Sequence, residues 1–266
     1  MSDDLYSMRF GGVSRLYGAE QQQQLATAHM AVIGLGGVGS WAAEALARSG
    51  VGALTLIELD DICLTNSNRQ LHTLSDTIGQ NKLDVIAARL KLINPDIQLH
   101  CVYDFLTPKN IEQLIVPELN VVLDAIDSVN VKSALLAYCS RQKKRLICVG
   151  SSGGKRDPGK ICVGDLGQTE ADPMLAKLRN QLYRHHGFKR SSSGRKFRVD
   201  AVFSKEAMVY AKPDGSVCAN KKALVDGVKL DCAGGLGSSV MVTGSFGFVA
   251  AAKAIERYLE DCLKGK

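Results

Sequence analysis

The sequence predicts an α/β fold, with a mostly parallel sheet flanked by helices and a smaller, mixed C-terminal lobe. Over the first 150 residues, runs rich in β-branched residues alternate with segments of helical periodicity, a pattern typical of parallel βαβ units. A glycine-rich hexapeptide, GLGGVG, separates the first strand from an alanine-rich helix. After Gly150 the alternation becomes irregular. We therefore assign residues 1–150 to a Rossmann-like domain and residues 151–266 to the C-terminal lobe.

The expected elements follow one another along the chain. Strands are predicted in MAVI, ALTLIELD, IQLHCVYDF, NVVLDAID and RLICVG, and helices in SWAAEALARSG, KLDVIAARLKLIN and VKSALLAYCSRQK. A short helix is expected in TPKNIEQLI, with Thr107 as N-cap and Pro108 at the first position. In the C-terminal lobe, ICVGDL, RVDAVFS and AMVYAK are predicted to be strands of a less regular sheet.

Composition indicates a soluble globular protein with a basic balance. The 266 residues are 45% hydrophobic and 23% charged, with a net charge of +6, which permits a polyanionic partner. The eight cysteines form no CxxC pair, and most are expected to be small buried hydrophobic residues. Because the N-terminus lacks a secretory signal pattern, we expect a cytoplasmic protein.

One uncharged stretch, residues 232–252, is long enough to suggest a membrane span. It has 21 residues, but it is rich in Gly, Ser and Thr and leads directly into the amphipathic KAIERYLEDCLK. We interpret it as a buried glycine loop that precedes a core-packed helix, and we keep a spanning helix as the less favoured alternative.

The glycine loop predicts a nucleotide site. Glycines allow a tight turn and a close approach of the backbone, while the next helix offers free N–H groups to phosphate. Glu58 and Asp60 follow at the end of the second strand, roughly 20 residues on, where ribose hydroxyls are usually held. The glycines expected to contact the nucleotide are Gly34, Gly36, Gly37 and Gly39.

Further polar residues favour a triphosphate over a dinucleotide. Arg69 and Lys82 would neutralise phosphates, and Asp127, at the end of the fourth strand, would bind Mg²⁺. The carboxyl ends of parallel strands lie at one edge of the sheet, so these side chains should meet there. The sequence therefore predicts ATP with Mg²⁺, and the amide residues expected beside them are Asn66, Asn68 and Gln70.

Together GLGGVG, ELDDICLTNSNRQ, GQNKLD and LDAIDS resemble the E1-like adenylating enzymes, the superfamily of the ubiquitin-activating and molybdopterin-type enzymes. The resemblance implies activation of a carboxylate as an acyl-adenylate. It also implies the roles given above for Arg69, Lys82 and Asp127. It further implies a homodimer, in which an N-terminal arginine reaches the partner's ATP site. Because RFGGVSRLYG departs from the usual pattern, either Arg15 or Arg9 could act in this way.

The C-terminal part narrows the resemblance. SGGKRDPGKICVGDL, DPMLAKLRNQL, DGSVCA and LDCAGGLGSSVMVTGSFGFVAA are similar to the tRNA threonylcarbamoyladenosine dehydratase branch. That branch implies ATP-dependent cyclisation of N6-threonylcarbamoyladenosine at position 37 of tRNA. An adenylated carboxylate can be closed into a ring by the neighbouring ureido oxygen, so no catalytic thiol is required. A monovalent cation is left open.

Cys232 is the cysteine most suited to a functional role. By resemblance its position is linked to sulfur-relay partners, a cysteine desulfurase or a sulfur-acceptor protein. A buried structural thiol is the simpler interpretation, and we favour it.

A basic segment, residues 184–198, is expected to contact the substrate. It contains six Lys or Arg and two His without an acid, and its Gly/Ser centre suggests a loop that docks on phosphates. A solvated loop is the alternative. With a tRNA substrate implied by the resemblance, and no DNA partner expected, we predict tRNA contacts from Lys189, Arg190, Arg195 and Lys196.

Two other functions are considered. A member of the same superfamily could adenylate a ubiquitin-like sulfur-carrier protein, but the CxxC pairs often found in such enzymes are absent from this sequence. An NAD-dependent oxidoreductase would use the glycine loop but would not need Arg69, Lys82 and Asp127.

Overall fold

The computed structural model describes residues 3–189, 196–212, 214–219 and 236–265. Within these ranges the α-helices are α1 (Asp3–Tyr17), α2 (Ala19–Thr27), α3 (Gly39–Arg48), α4 (Lys82–Ile93), α5 (Ile111–Leu114), α6 (Val129–Arg141), α7 (Pro173–His185) and α8 (Val240–Lys264). The strands are β1 (His29–Ile33), β2 (Ala53–Ile57), β3 (Gln98–Val102), β4 (Val121–Asp124), β5 (Arg145–Val149), β6 (Ile161–Asp165), β7 (Asp200–Ser204), β8 (Tyr210–Ala211) and β9 (Val217–Cys218).

Seven of these strands form one sheet in the order β3-β2-β1-β4-β5-β7-β6. Every neighbouring pair is parallel except β7 and β6, which are antiparallel. The strand order reverses beside β1, which lies between β2 and β4. Such a switch point opens a crevice at the carboxyl ends of the strands, where ligands bind in open α/β sheets. The predicted α/β class is confirmed.

Helices cover both faces of the sheet, which explains the nearly continuous apolar runs in β1, β2, β4 and β5. On one face, residues of α3, α4 and α8 pack on side chains such as Val32 and Leu56. On the other face, α6 and α7 pack on side chains such as Ile33 and Val122. The strands are therefore fixed rigidly beneath the loops at their carboxyl ends.

The short helix α5 differs from its prediction. It begins at Ile111, after a turn over residues 108–110, and its N-cap is Asn110 rather than Thr107. The reason is local, because Asn110 Oδ1 accepts hydrogen bonds from the backbone N–H and the hydroxyl of Thr107. These bonds stabilise a turn in place of a first helical turn at Pro108.

The uncharged stretch also differs in part from expectation. Its described residues become helical at Val240, so most of the predicted glycine loop belongs to α8. Phe246 and Ala250 are buried in the core, as predicted for a core-packed helix. Among the described residues, no helix is both long and apolar enough to cross a membrane.

The sheet extends across residue 150. β7 pairs with β5, and β6 adds to its outer side, so both strands from the C-terminal part join the same sheet. The small β8–β9 ribbon forms a separate sheet. The domain boundary at residue 150 stays a prediction. The hydrogen bonds between β5 and β7 link the parts of the chain before and after it.

Candidate active site

The glycine loop, residues 34–38, forms a closed turn between β1 and α3. Gly34 has a φ of +83° and donates its N–H to Ile57 O. A Cβ on Gly39 would lie 1.8 Å from Gly34 O, so no larger residue fits there. Within the described part of the chain, the amides of Gly36, Gly37 and Val38 donate no hydrogen bond. The loop therefore presents free N–H groups at a helix N-terminus, as phosphate binding requires.

Glu58 is held directly against this loop. One carboxylate oxygen accepts the Leu35 amide at 2.9 Å, and the other accepts the amides of Leu59 and Asp60. The residue is only 6% exposed. A carboxylate oxygen has more than one lone pair, so these bonds leave acceptor capacity for a ribose hydroxyl. Glu58 thus fixes the glycine loop, and its predicted contact with ribose stays a prediction.

Asp60 and Lys82 form an ion pair across the next connection. Lys82 Nζ lies 2.8 Å from Asp60 Oδ2; the lysine side chain is 7% exposed and the aspartate side chain 53%. Asn81 caps α4 by accepting the Leu83 amide, which places Lys82 at the first helical position. The segment after β2 carries Asp60 and the start of α4 carries Lys82, so the two predicted residues meet at the carboxyl edge of the sheet.

Arg69 and Gln70 lie along the glycine loop. A Cβ on Gly37 would be 3.0 Å from Arg69 Cγ, and one on Gly36 would be 3.8 Å from Gln70 Nε2. The Arg69 carbonyl accepts a hydrogen bond from Trp41 Nε1 at 3.0 Å, which ties the segment to α3. The structure therefore places Arg69, a predicted phosphate ligand, and Gln70, an amide predicted to lie beside it, next to the glycine loop.

The two asparagines of this segment have structural partners. Asn66 is buried in a short 3₁₀ turn, and its carbonyl accepts the amides of Arg69 and Gln70. Asn68 Oδ1 accepts a hydrogen bond from Arg69 Nη1, and its Nδ2 donates to Ser238 O. Asn68 therefore orients the arginine and joins it to the segment before α8. Contact of either asparagine with a nucleotide stays a prediction.

The sequence predicted that Asp127 ends the fourth strand, and this placement is wrong. β4 ends at Asp124, and Asp127 lies exposed in the following loop. This loop is close to the glycine turn, because a Cβ on Gly34 would be 3.2 Å from Ala125 O. The predicted metal ligand therefore lies on a loop beside the nucleotide cradle.

Sequence reasoning missed an ion pair beneath this loop. Lys132 Nζ lies 2.8 Å from Asp124 Oδ2, and both side chains are fully buried. Burial raises the pKa of Asp124. Burial would lower the pKa of Lys132, but attraction to the acidic groups around it, Asp124 first among them, raises that pKa. Asp124 also accepts the Ile126 amide, so the pair fixes the loop that carries Asp127. The signal was available in LDAIDSVNVK, where an acid at the end of an apolar run precedes a lysine in the next helix.

The predicted basic segment is only partly a loop. Its first two residues, Arg184 and His185, belong to the last turn of α7. Phe188 stacks on Phe197 with ring centroids 5.6 Å apart, and both pack against the core. Among the described residues, no group of three or more His, Cys, Asp or Glu could hold a metal ion.

Lys189 and Lys196 are exposed on either side of residues 190–195; Arg190 and Arg195 lie outside the described residues.

The remaining predicted site residues have no described contact with the glycine loop. Arg9 donates a hydrogen bond to Ile93 O at the C-terminal end of α4. Arg15 is exposed in the last turn of α1. Cys232 lies outside the described residues. The contact of either arginine with a partner's nucleotide site stays a prediction.

Several observations show that the cradle fits a nucleotide. The free amides of the glycine loop, Arg69 and Lys82 provide donors and positive charge for phosphates. Gln70 Oε1 is buried without a hydrogen-bond partner among the described residues, and a buried acceptor of this kind is costly unless a ligand or water satisfies it.

Comparison with known proteins agrees with this geometry. The ThiF family model matches residues 12–257. A tRNA threonylcarbamoyladenosine dehydratase from Escherichia coli (strain K12) is 49% identical over 256 residues, covering 96% of this chain and 95% of that protein. The crystal structure of the E. coli dehydratase TcdA in complex with ATP has a TM-score of 0.87 and 44% identity, covering all of both chains. Its complex with AMP has the same TM-score and 45% identity over 99% of both chains.

These matches span nearly the whole chain, and they extend well beyond the glycine loop into the part that follows residue 150. The chain belongs to the ThiF family, within the E1-like superfamily of adenylating enzymes.

Proposed function

We propose that this protein uses ATP to cyclise N6-threonylcarbamoyladenosine at position 37 of tRNA, with loss of water, by adenylating the threonyl carboxylate. The observation that carries the proposal is the meeting of the glycine loop, Arg69 and the Asp60–Lys82 pair at one sheet edge. Likeness to the E. coli dehydratase over 96% of the chain supports the substrate. ATP and AMP in the complexes of that enzyme support adenylation.

The residues divide the work of binding. The free amides at residues 36–38 and the guanidinium of Arg69 hold phosphate oxygens, and the carboxylate of Glu58 accepts from the ribose. Lys82 lies partly neutralised by Asp60. When phosphate binds, the Lys82 ammonium exchanges the exposed Asp60 carboxylate for a phosphate oxygen. Asp127 would hold Mg²⁺, which supplies positive charge beside the phosphates.

The reaction replaces a poor leaving group by a good one. A carboxylate oxygen of the substrate attacks the α-phosphorus of ATP, and pyrophosphate leaves. The ureido oxygen then attacks the activated carbonyl carbon, a ring forms, and AMP leaves with the former carboxylate oxygen. The ureido nitrogen loses a proton, so the nucleoside loses one water in total. Because attacking and attacked groups belong to the same residue, no external nucleophile is required.

Three associations complete the proposal. Lys189, Arg190, Arg195 and Lys196 contact tRNA phosphates, because this segment is basic and its described lysines are exposed. A homodimer places Arg15 at the partner's nucleotide site, since Arg9 is already bound to Ile93 O. Cys232 could serve a sulfur-acceptor or desulfurase partner, and a buried structural thiol remains the simpler role. The protein acts in the cytoplasm. A monovalent cation is left open.

The test is the state of tRNA in cells with and without the protein. Nucleosides from total tRNA are analysed by mass, under mild conditions that preserve the ring. Cells lacking the protein should contain only the open nucleoside. Wild type and Arg141→Ala, which changes an exposed arginine in the last turn of α6, should restore the cyclic form, whereas Arg69→Ala should not. Cyclic nucleoside at wild-type levels in cells without the protein would refute the proposed function.

A further inference from the structure

A second basic site lies away from the nucleotide cradle. A cavity of about 420 Å³ opens between α1, α3 and α4, and three arginines line it: Arg9, Arg48 and Arg89. The remaining lining side chains are Phe10, Leu92 and Ile93. Its size is within the usual range of small-ligand sites.

The charges around this cavity do not cancel. Glu44, only 4% exposed, pairs with Arg48 at 2.7 Å and with Arg89 at 2.7 Å. Burial would raise the pKa of Glu44, but the two arginines hold it below its usual value. Each of α3 and α4 ends beside the cavity with roughly half a negative charge. The three guanidinium groups are positive, and the Glu44 carboxylate and the two helix ends together offset about two of these charges. The cavity therefore keeps a net charge of about +1.

The arginines also keep donors available. Arg48 uses Nε on Glu44, Arg89 uses Nε and Nη2 on the same carboxylate, and Arg9 uses Nη1 on Ile93 O. A guanidinium has five N–H donors. In the described part of the chain, the remaining donors of these three groups have no hydrogen-bond acceptor. Side chains that are already held in place by Glu44 lose less entropy when they bind a ligand.

The cavity is separate from the ATP cradle. α3 begins at the glycine loop and α4 begins at Lys82, whereas the cavity lies at the opposite ends of both helices. Ten residues of helix span about 14 Å, which is too far for a nucleotide phosphate in the cradle to reach Arg48. An anion bound here is therefore not part of the ATP bound to the same subunit.

We propose that Arg9, Arg48 and Arg89 form a phosphate-binding site. Arginine binds phosphate oxygens through pairs of parallel N–H groups, and several arginines in one cavity can surround one phosphate. The phosphate is either a backbone phosphate of the tRNA, which rests on the proposed function, or a free phosphate ion. Both present the same oxygens to the site.

The test uses Arg48, because Glu44 keeps Arg89 as its partner when Arg48 is changed. The full-length proteins are wild type, Arg48→Gln, Arg48→Lys and the control Arg141→Gln, which also changes an arginine in the last turn of a helix. Thermal unfolding first confirms the fold of each. Inorganic phosphate binding is followed by NMR shifts, tRNA binding by filter assays across a salt series, and ATP binding by calorimetry.

We expect the tRNA affinity of Arg48→Gln to fall several-fold at low salt. The dependence of this affinity on salt concentration should also weaken, by the amount expected for the loss of about one phosphate contact. Arg48→Lys should recover part of the lost tRNA affinity, and Arg141→Gln should bind tRNA as wild type does. Loss of inorganic phosphate binding with unchanged tRNA binding would identify a free phosphate as the ligand. If neither phosphate nor tRNA binding changes in folded Arg48→Gln, the site does not exist. Cyclisation by wild type, measured in parallel, tests the proposed function separately.

Discussion

Asp60, which follows β2, and Asp124, which ends β4, serve different purposes because their exposure differs. Asp60 is half exposed, so solvent reaches the carboxylate of its pair with the buried Lys82. Asp124 is completely buried with Lys132, so neither group can turn away from the other. A buried charge without its partner is strongly destabilising, whereas a neutral pair in the same place is tolerated. The first pair is therefore suited to ligand binding and the second to holding the Asp127 loop.

We predict that Lys132→Met lowers the free energy of unfolding by about 3–5 kcal/mol, because it leaves the Asp124 carboxylate buried alone. The double variant Asp124→Asn, Lys132→Met should be more stable than the single one, since the new amide oxygen can still accept the Ile126 amide while no charge is buried. Urea unfolding of the three proteins gives the comparison. A double variant no more stable than Lys132→Met would show that the pair is not the source of the loss.

We predict that the buried His72 makes the stability of the protein depend on pH. Its ring is buried, and neither ring nitrogen has a hydrogen-bond partner among the described residues. Burial, and then the charge of Lys82, lower its pKa from 6.5 to about 4. Between these values the unfolded chain binds a proton and the folded protein does not, so stability falls as the pH falls.

The loss from His72 should approach about 3 kcal/mol between pH 6.5 and pH 4. His72→Gln should remove this part of the pH dependence in urea unfolding, whereas His100→Gln, which changes an exposed histidine, should retain it. If both variants keep the wild-type slope, burial of His72 is not its cause.

At the scale of elements, α8 is packed unusually close to α3. A Cβ on Gly247 would lie 2.6 Å from Val38 O and 2.9 Å from Trp41 Cβ. Gly244, one turn earlier, faces only the Trp41 ring, at 3.7 Å. The backbones therefore approach at Gly247, and Val38 belongs to the glycine loop. The contact at Gly247 therefore belongs both to the crossing of α8 with α3 and to the glycine loop.

We predict that Gly247→Ala destabilises the protein by about 1–3 kcal/mol, because the added methyl forces the two backbones apart. It should also weaken ATP binding through the glycine loop. Gly244→Ala is the matched control and should be neutral or stabilising by up to about 1 kcal/mol, since alanine favours the helix. Thermal unfolding and ATP calorimetry measure both effects. Equal stability of the two variants would contradict the close crossing.

The same helix shows what the sequence could and could not predict. Apolar strands, GLGGVG and the polar residues of NSNRQ predicted the sheet and the cradle, because local periodicity and strand ends determine both. The start of α8 could not be predicted, since Gly244 and Gly247 discourage a helix locally and only contact with α3 makes one favourable. The Asp124–Lys132 pair depends in the same way on burial from several elements at once.

At the scale of the whole molecule, one face of α8 is exposed and apolar at its start. Met241, Phe248 and Ala252 recur at helical spacing along this face, and Met241 and Phe248 are 61% and 48% exposed. Exposed apolar faces of this kind often mark contacts between proteins. The predicted homodimer would cover such a surface.

If two subunits share each site, mixing can restore activity. Arg15→Ala and Lys82→Ala proteins should each be inactive as homodimers, while a mixture allowed to exchange subunits contains heterodimers with one complete site. Cyclisation in the mixture should reach a sizeable fraction of wild type, and light scattering should report the dimer. Full activity of both the Arg15→Ala and the Arg9→Ala proteins, or a monomer in solution, would contradict the shared site.

In the proposed function, carboxylate adenylation drives dehydration of the modified tRNA. Its most direct test is a reaction of purified protein, tRNA carrying threonylcarbamoyladenosine, ATP and Mg²⁺, with nucleoside mass and nucleotide products measured together. We expect one AMP for each nucleoside that loses a water, no effect of NAD, and almost no turnover by folded Asp127→Asn. Release of ADP in place of AMP, or an unchanged nucleoside mass, would contradict the claim.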